Sequence, residues 1–148
     1  MEIEWLIVAD AAQVVGNKLY IMGGGWDRLT VRTGFPVNQH MGIALAFKIP
    51  WSETNERHSF EIEVATDDCQ TLQKINGELE VGRPPGVPAG SDQRAQIAAT
   101  ANVEFKQPGQ YTIIARLDGE DVKSVVFNVT DGNQVSGRGT TPTAPPAT

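Results

Sequence analysis

Apolar and polar residues alternate along most of this chain. Ile43, Leu45, Phe47 and Ile49 alternate with Gly42, Ala44, Ala46 and Lys48, and Phe60, Ile62 and Val64 with Glu61, Glu63 and Ala65. Further on, Ile97, Ala99, Ala101, Val103 and Phe105 share one face, opposite Gln96, Ala98, Thr100, Asn102 and Glu104. Tyr111, Ile113, Ala115 and Leu117 continue the pattern, and Val125, Phe127 and Val129 end it. Successive side chains of a strand point to opposite faces, so each run is expected to bury one face and turn the other to water. No window of similar length keeps an apolar stripe at 3.6-residue spacing. The pattern predicts an all-β chain.

Turn signals punctuate these runs. Gly16-Asn17 and Asp118-Gly119 each supply two residues suited to the positive φ angles of a tight hairpin. Asn76-Gly77, inside a weaker pattern from Leu72 to Val81, predicts a bulge or a turn. Asp10 and Gln13 interrupt the first apolar stretch and predict two short strands with a kink between them. Residues 82–92, rich in proline and glycine, read as an extended surface connection. From Asp131 the chain loses its apolar pattern and ends in GRGTTPTAPPAT, the composition of a disordered tail. The expected organisation is one sandwich domain over residues 1–130 and a tail over 131–148. Eight or nine regularly punctuated strands point to an antiparallel β-sandwich.

Composition narrows the partners more than the fold. A chain of 148 residues is one domain's worth and can bury a core without a metal or disulfide staple. Cys69 is the single cysteine, so no internal disulfide forms. The first residues are acidic and the apolar run Trp5 to Ala9 is too short for a signal core or a membrane span. A cytoplasmic setting with no membrane partner is the expectation, and Asn128-Val129-Thr130 is then a chance glycosylation sequon within a strand. The net charge of −6 argues against nucleic acid as a partner.

Three constellations carry possible chemistry. Gly23, Gly24 and Gly25 precede Trp26, Asp27 and Arg28. A dinucleotide fingerprint needs a further glycine where Arg28 stands and a helix where Leu29-Thr30-Val31 follows, and a P-loop needs Gly-Lys-Ser/Thr. The run therefore reads as a strand corner that makes room for Trp26 and presents Asp27 and Arg28, as an ion pair or a polar anchor. The segment Pro50 to His58 reads as a turn in which Trp51 roofs the edge of the core while Glu53, Glu56 and Arg57 face water. An exposed tryptophan beside polar groups also suits sugar or peptide recognition. Asp67 and Asp68, with Glu61 and Glu63, read as turn residues and a solvated acidic face; weak calcium binding is the other reading.

Catalytic sets are thin. His40 and His58 come from opposite ends of one expected strand, and no serine or cysteine has a local nucleophile signature. The expectation is a non-enzymatic chain with no cofactor and no metal.

Gln107-Pro108-Gly109-Gln110-Tyr111-Thr112-Ile113 resembles the tyrosine corner of immunoglobulin-like sandwiches, where the phenol bonds to backbone just upstream. The resemblance implies an immunoglobulin-like fold and no activity. VVGNKLYIMGGGWDRL and FKIPWSETNERHSFEIEV together resemble an uncharacterised family of small bacterial proteins that carry a Gly-Gly-Gly-Trp-Asp element and a Pro-Trp-x-Glu-Thr-Asn-x-Arg-His element. That resemblance implies a bacterial, intracellular source and no mechanism.

The functional expectation is a binding or assembly module, engaging a protein or small molecule through Trp26, Asp27, Arg28, Trp51, Glu53, Asn55 and Arg57. Two alternatives stand beside it. One is a structural protein that self-associates as a homo-oligomer, or decorates a larger assembly, through an edge strand. The other is a small hydrolase or lyase using Asp27, Arg28 and a histidine, which requires those groups to converge.

Overall fold

The computed structural model describes residues 1–133. Nine strands follow one another: β1 (Glu2–Val15), β2 (Lys18–Gly24), β3 (Arg28–Val31), β4 (Val37–Ile49), β5 (Arg57–Thr66), β6 (Thr71–Glu80), β7 (Gln93–Phe105), β8 (Gly109–Leu117) and β9 (Glu120–Asp131). One 3-10 turn, Trp51–Glu53, lies between β4 and β5. The strands form two sheets, ordered β2-β1-β4-β7 and β3-β9-β8-β5-β6. Side chains from both inner faces meet in one core that includes Phe47, Phe105, Phe127, Met41, Ile43, Leu45 and Ile113, all under 2% exposed. Each such side chain contributes roughly 1.5–3 kcal/mol by leaving water.

The sandwich is immunoglobulin-like in its strand order. In such folds the first, second and fifth strands (A, B and E) share one sheet, while G, F and C share the other, with C′ added in variable-type domains. Here β1-β4-β7 and β9-β8-β5-β6 stand in those places. The tyrosine corner is present: the Tyr111 hydroxyl donates to the Gln107 carbonyl at 2.6 Å. Tyr111 also stacks against Phe127, and both rings meet Phe105 edge-on. The expectation of a wholly antiparallel sandwich is corrected at one edge, where β3 runs parallel to β9. After β2 the chain crosses to the second sheet at Trp26–Asp27 and joins the last strand in the same direction, with Asn128 N–H donating to the Asp27 carbonyl at 2.8 Å.

The two hairpin signals act as their residue types require. Gly16 and Asn17 have φ of 58° and 62°, and Asp118 and Gly119 have 51° and 86°, the left-handed values of a tight two-residue turn. Three other local expectations are corrected. β1 is one continuous 14-residue strand rather than two short ones; it changes pairing partner instead of breaking, bonding β4 as far as Ala9 and β2 from there on. Asn76-Gly77 makes no turn or bulge but sits within β6, where the ring of Phe60 lies over Gly77 and occupies the space a side chain would need. At the C-terminal end β9 reaches Asp131, and the Asn133 side chain donates to the Arg32 carbonyl at 2.7 Å. The rest of the expected tail, 134–148, lies outside the described residues.

The largest departure concerns β4. Its alternation predicts a watered face at Gly42, Ala44 and Ala46, yet these residues are buried. Beyond Ala9, β1 leaves the edge of β4 and crosses its outer face, so that the backbone of Ala11 and Ala12 lies against Gly42. The β1–β2 hairpin then lies over the outside of the first sheet as a flap, and at its tip the Asn17 carbonyl accepts from Gln96 Nε2 of β7 at 3.3 Å. Cross-strand partners share a face. Ala12 pairs with Ile21 and Val14 with Leu19, and this half-buried side faces the sheet. The small residues of β4 are what allow a strand to lie so close.

Candidate functional site

The glycine corner is built as its sequence suggests. Gly23 and Gly25 have φ of 61° and 82°, values that L-residues with a Cβ seldom adopt. Gly25 N–H bonds the Val8 carbonyl at 2.8 Å, holding the bend to β1. Trp26 is half-buried, edge-on to Phe127 with ring centroids 5.5 Å apart. Its Nε1 is buried without a hydrogen-bond partner among the described residues. The expected Asp27–Arg28 pair is corrected: both side chains are exposed and do not bond each other. The anchor is the Asp27 backbone, through its carbonyl bond to Asn128.

The Trp51 corner is more tightly knit than a water-facing loop. The Arg83 guanidinium lies 4.1 Å from the centre of the Trp51 ring, an arrangement that favours a cation over an aromatic face. The same guanidinium donates to Thr54 Oγ1 at 2.7 Å and to the Trp51 carbonyl at 2.9 Å. Glu53 faces water only in part; its carboxylate also pairs with the N-terminal ammonium of Met1. Asn55 takes φ of 59° and donates its N–H to the Val81 carbonyl at 2.7 Å. Arg57 is exposed, 3.7 Å from Glu78 on the neighbouring strand.

His58, at the head of β5, closes this corner. Its Nε2 donates to the Glu53 carbonyl and its Nδ1 meets the Asp118 carboxylate, each at 3.2 Å. Asp118 also accepts the Ser59 N–H at 3.0 Å. That backbone bond, with the His58 contact second, holds the Asp118 carboxyl below its ordinary range. The β8–β9 turn is thereby tied to the start of β5.

On the outer face of the second sheet, Arg116 donates to Glu61 at 2.7 Å and to Glu63 at 3.0 Å. Glu63 is buried rather than solvated, which corrects the expectation of an open acidic face. Thr71 Oγ1 donates to Glu63 at 2.7 Å. This bond and the Arg116 cation keep Glu63 below its usual pKa, against the opposing effect of burial. Asp68 accepts from the Thr66 hydroxyl in its own turn. Among the described residues no group of three or more His, Cys, Asp or Glu side chains is placed to hold a metal ion.

The groups an Asp-Arg-His reaction would need are dispersed. Arg28 sits opposite Asn128 on β9, whereas His58 contacts Asp118 just before that strand begins. Glu120 and Asn128 are eight positions apart along the strand, about 26 Å at ~3.3 Å per residue. His40 lies on the other sheet, bonded to Asn102 at 3.2 Å.

Two features remain that the sequence reading passed over. An open cleft of about 690 Å³ lies at the flap tip, lined by Asn17, Gly82, Arg83, Gln93, Arg94 and Gln96 among others. Its cations are engaged: Arg83 at the Trp51 corner, and Arg94 with Glu4 at 2.8 Å. The other feature is the outer side of the flap, where Val15, Tyr20 and Met22 are 52%, 55% and 72% exposed. Two signals in the sequence pointed there. Leu19-Tyr20-Ile21-Met22 is apolar on both faces, and β4 carries Gly and Ala where a solvent face would carry polar residues.

The fold and these surfaces define a small immunoglobulin-like sandwich with an added hairpin flap. The chain belongs to a family of unknown function, DUF6941, whose pattern it matches over residues 4–130. No curated protein matches it in sequence. Among solved structures it is similar to the CARDB domain of the PF1109 protein from Pyrococcus furiosus, determined in complex with di-metal ions. There the identity is 12% and the TM-score 0.40, over 88% of this chain and 92% of that one. It is also similar to part of the Pseudomonas fluorescens alkylpurine DNA glycosylase AlkC, determined bound to DNA containing an abasic site analog. That likeness has 11% identity and a TM-score of 0.29, over 70% of this chain and 28% of that one. Neither likeness is close enough to locate a site. No helix among the described residues is long and apolar enough to cross a membrane.

Proposed function

We propose that this protein is a non-enzymatic binding module of the bacterial cytoplasm that docks a protein partner on the outer side of its β1–β2 flap. One observation carries the reading: Tyr20 and Met22 stand more than half exposed on a strand at the end of its sheet. Large apolar side chains clustered at one surface lower the free energy of docking because the partner removes them from water. The polar groups that could do chemistry support the same reading, since His58, Glu63 and Arg116 are engaged in holding the sandwich together. The exposed side chains of Asp27 and Arg28, and those of Asn55 and Arg57 at the other end of the sandwich, are two separate surfaces to be tested, each able to take a peptide or a small polar ligand.

The experiment is affinity capture from the native cell with matched variants. Met22→Lys and Tyr20→Lys are expected to lose the captured protein, while Asp27→Ala and Arg57→Ala retain it. Both lysine variants replace exposed side chains, and circular dichroism checks that they fold. If the folded lysine variants hold every captured protein at wild-type amounts, the flap is not the docking surface.

A further inference from the structure

The edges of the two sheets are guarded unequally. β3 offers four residues, and β6 carries Lys74, Glu78 and Glu80. β7 exposes no large apolar side chain. β2 has none of these protections: it runs uncharged from Leu19 to Gly24, without proline, and its one charge is Lys18 at the end. Among the described residues no strand pairs with its second side. Natural proteins usually shield such an edge, because unpaired N–H and C=O groups recruit another strand.

We infer that the strand it recruits is β2 of a second copy of this chain, paired antiparallel about a two-fold axis at Ile21. The proposal rests on the reading that the flap is the docking surface and names its occupant. Its basis is that the strand is self-complementary. Antiparallel pairing about Ile21 sets Tyr20 opposite Met22 of the other copy, twice by symmetry. These are the two most exposed large apolar residues of the described chain, at 55% and 72%. A thioether beside an aromatic ring is a favourable contact. The same register sets Leu19 and Lys18 opposite Gly23 and Gly24, which have no side chain to obstruct them. Charge points the same way: on a chain of net charge −6, two copies meet with little repulsion along a strand whose one charge is a lysine. Seven residues of edge bury less than the roughly 1,200 Å² of a standard interface, so the dimer is concentration-dependent.

Sedimentation across about 1 μM to 1 mM, the range in which interfaces of this size act, tests the pairing. The wild-type chain is expected to pass from the mass of one chain to that of two, with Tyr20→Lys and Met22→Lys staying monomeric throughout. Nitroxide labels at Lys18→Cys, in a Cys69→Ser background, test the register. Six residues of offset place the two labelled backbones about 20 Å apart. A wild-type monomer at every concentration overturns the proposal, as does a dimer that both lysine variants still form, or a Lys18 spacing incompatible with this register. Capture of a different protein that is lost in Met22→Lys, from a chain that stays monomeric, overturns self-pairing and leaves the docking surface standing. A dimer lost in Met22→Lys, with no other protein captured, supports both.

Discussion

Gly42 of β4 lies directly beneath Ala12 of β1. A β-carbon at position 42 would come within 2.6 Å of the Ala12 nitrogen and 2.8 Å of the Ala11 carbonyl carbon. Both are backbone atoms, so no rotamer change relieves the clash, and the flap must lift or the sheet must shift. Gly42→Ala is expected to cost about 1–3 kcal/mol, read from the urea midpoint. Amide exchange should rise in residues 11–22 before it rises in the core. Unchanged exchange across those residues would show that the flap does not depend on this crossing.

Glu63 makes acid a selective stress. Its carboxyl is held low, first by the Thr71 hydroxyl and then by Arg116. A carboxyl with a depressed folded pKa adds stability that is fully present above its unfolded value, about 4.3, and is lost as pH falls through the folded value. Glu63→Gln should therefore be less stable than wild type at pH 7, with the gap closing below pH ~4 as the native carboxyl takes up its proton. Arg116→Met leaves a buried carboxylate without its arginine partner and should cost about 3 kcal/mol at pH 7, a deficit that shrinks as pH falls and the carboxyl takes up its proton. A gap that stays constant from pH 7 to strong acid would refute this role for Glu63.

Asp118 acts in the same direction from a more exposed position. Its lowered pKa arises first from the Ser59 N–H and next from His58. Asp118→Asn, which tolerates the left-handed φ of 51° at this position, is expected to cost about 1 kcal/mol at pH 7 by weakening the hydrogen bonds made to the charged carboxylate. The difference from wild type should vanish as pH falls from the ordinary aspartate range, about 3.9, through the lower folded value. Equal stability of variant and wild type at neutral pH would show that the turn needs no charged tie to β5.

Tyr111→Phe isolates the corner bond. The ring and its contacts with Phe105 and Phe127 remain, so the loss is one hydrogen bond to a carbonyl that water can reach, about 1 kcal/mol. Burial, followed by the charge of Asp67, pushes the Tyr111 phenol above its ordinary value. In an ultraviolet titration the phenol that is lost in Tyr111→Phe should ionise above the ordinary tyrosine value, about 10. A Tyr111 phenol that ionises at or below the ordinary tyrosine value would contradict the buried corner.

Much of this architecture was legible because it is local. Period-two alternation gave the strands, since backbone geometry alone sends successive side chains to opposite faces. Gly16-Asn17 and Asp118-Gly119 gave their hairpins because positive φ is a property of those residue types. Pro108-Gly109 before Tyr111 gave the corner. The Trp26 and Trp51 segments stood out for their residue types, but which of their side chains reach solvent depends on strands remote in sequence. Arg83 reaches Trp51 across 32 positions, and Arg116 reaches Glu63 across 53.

By itself, then, the sequence determined an all-β sandwich, most of its strands and its two tight hairpin turns, since these follow from steric rules acting within a few residues. Tertiary structure alone decided the parallel edge at β3, the burial of Glu63 and the course of the flap. Alternation says that a strand has two faces but not what will cover the second one. Gly42, Ala44 and Ala46 read as a modest solvent face until β1 is seen to cross them. Once the hairpin lies there, Leu19 and Ile21 turn toward the sheet, and Tyr20 and Met22, at alternate positions of the same strand, are left facing outward.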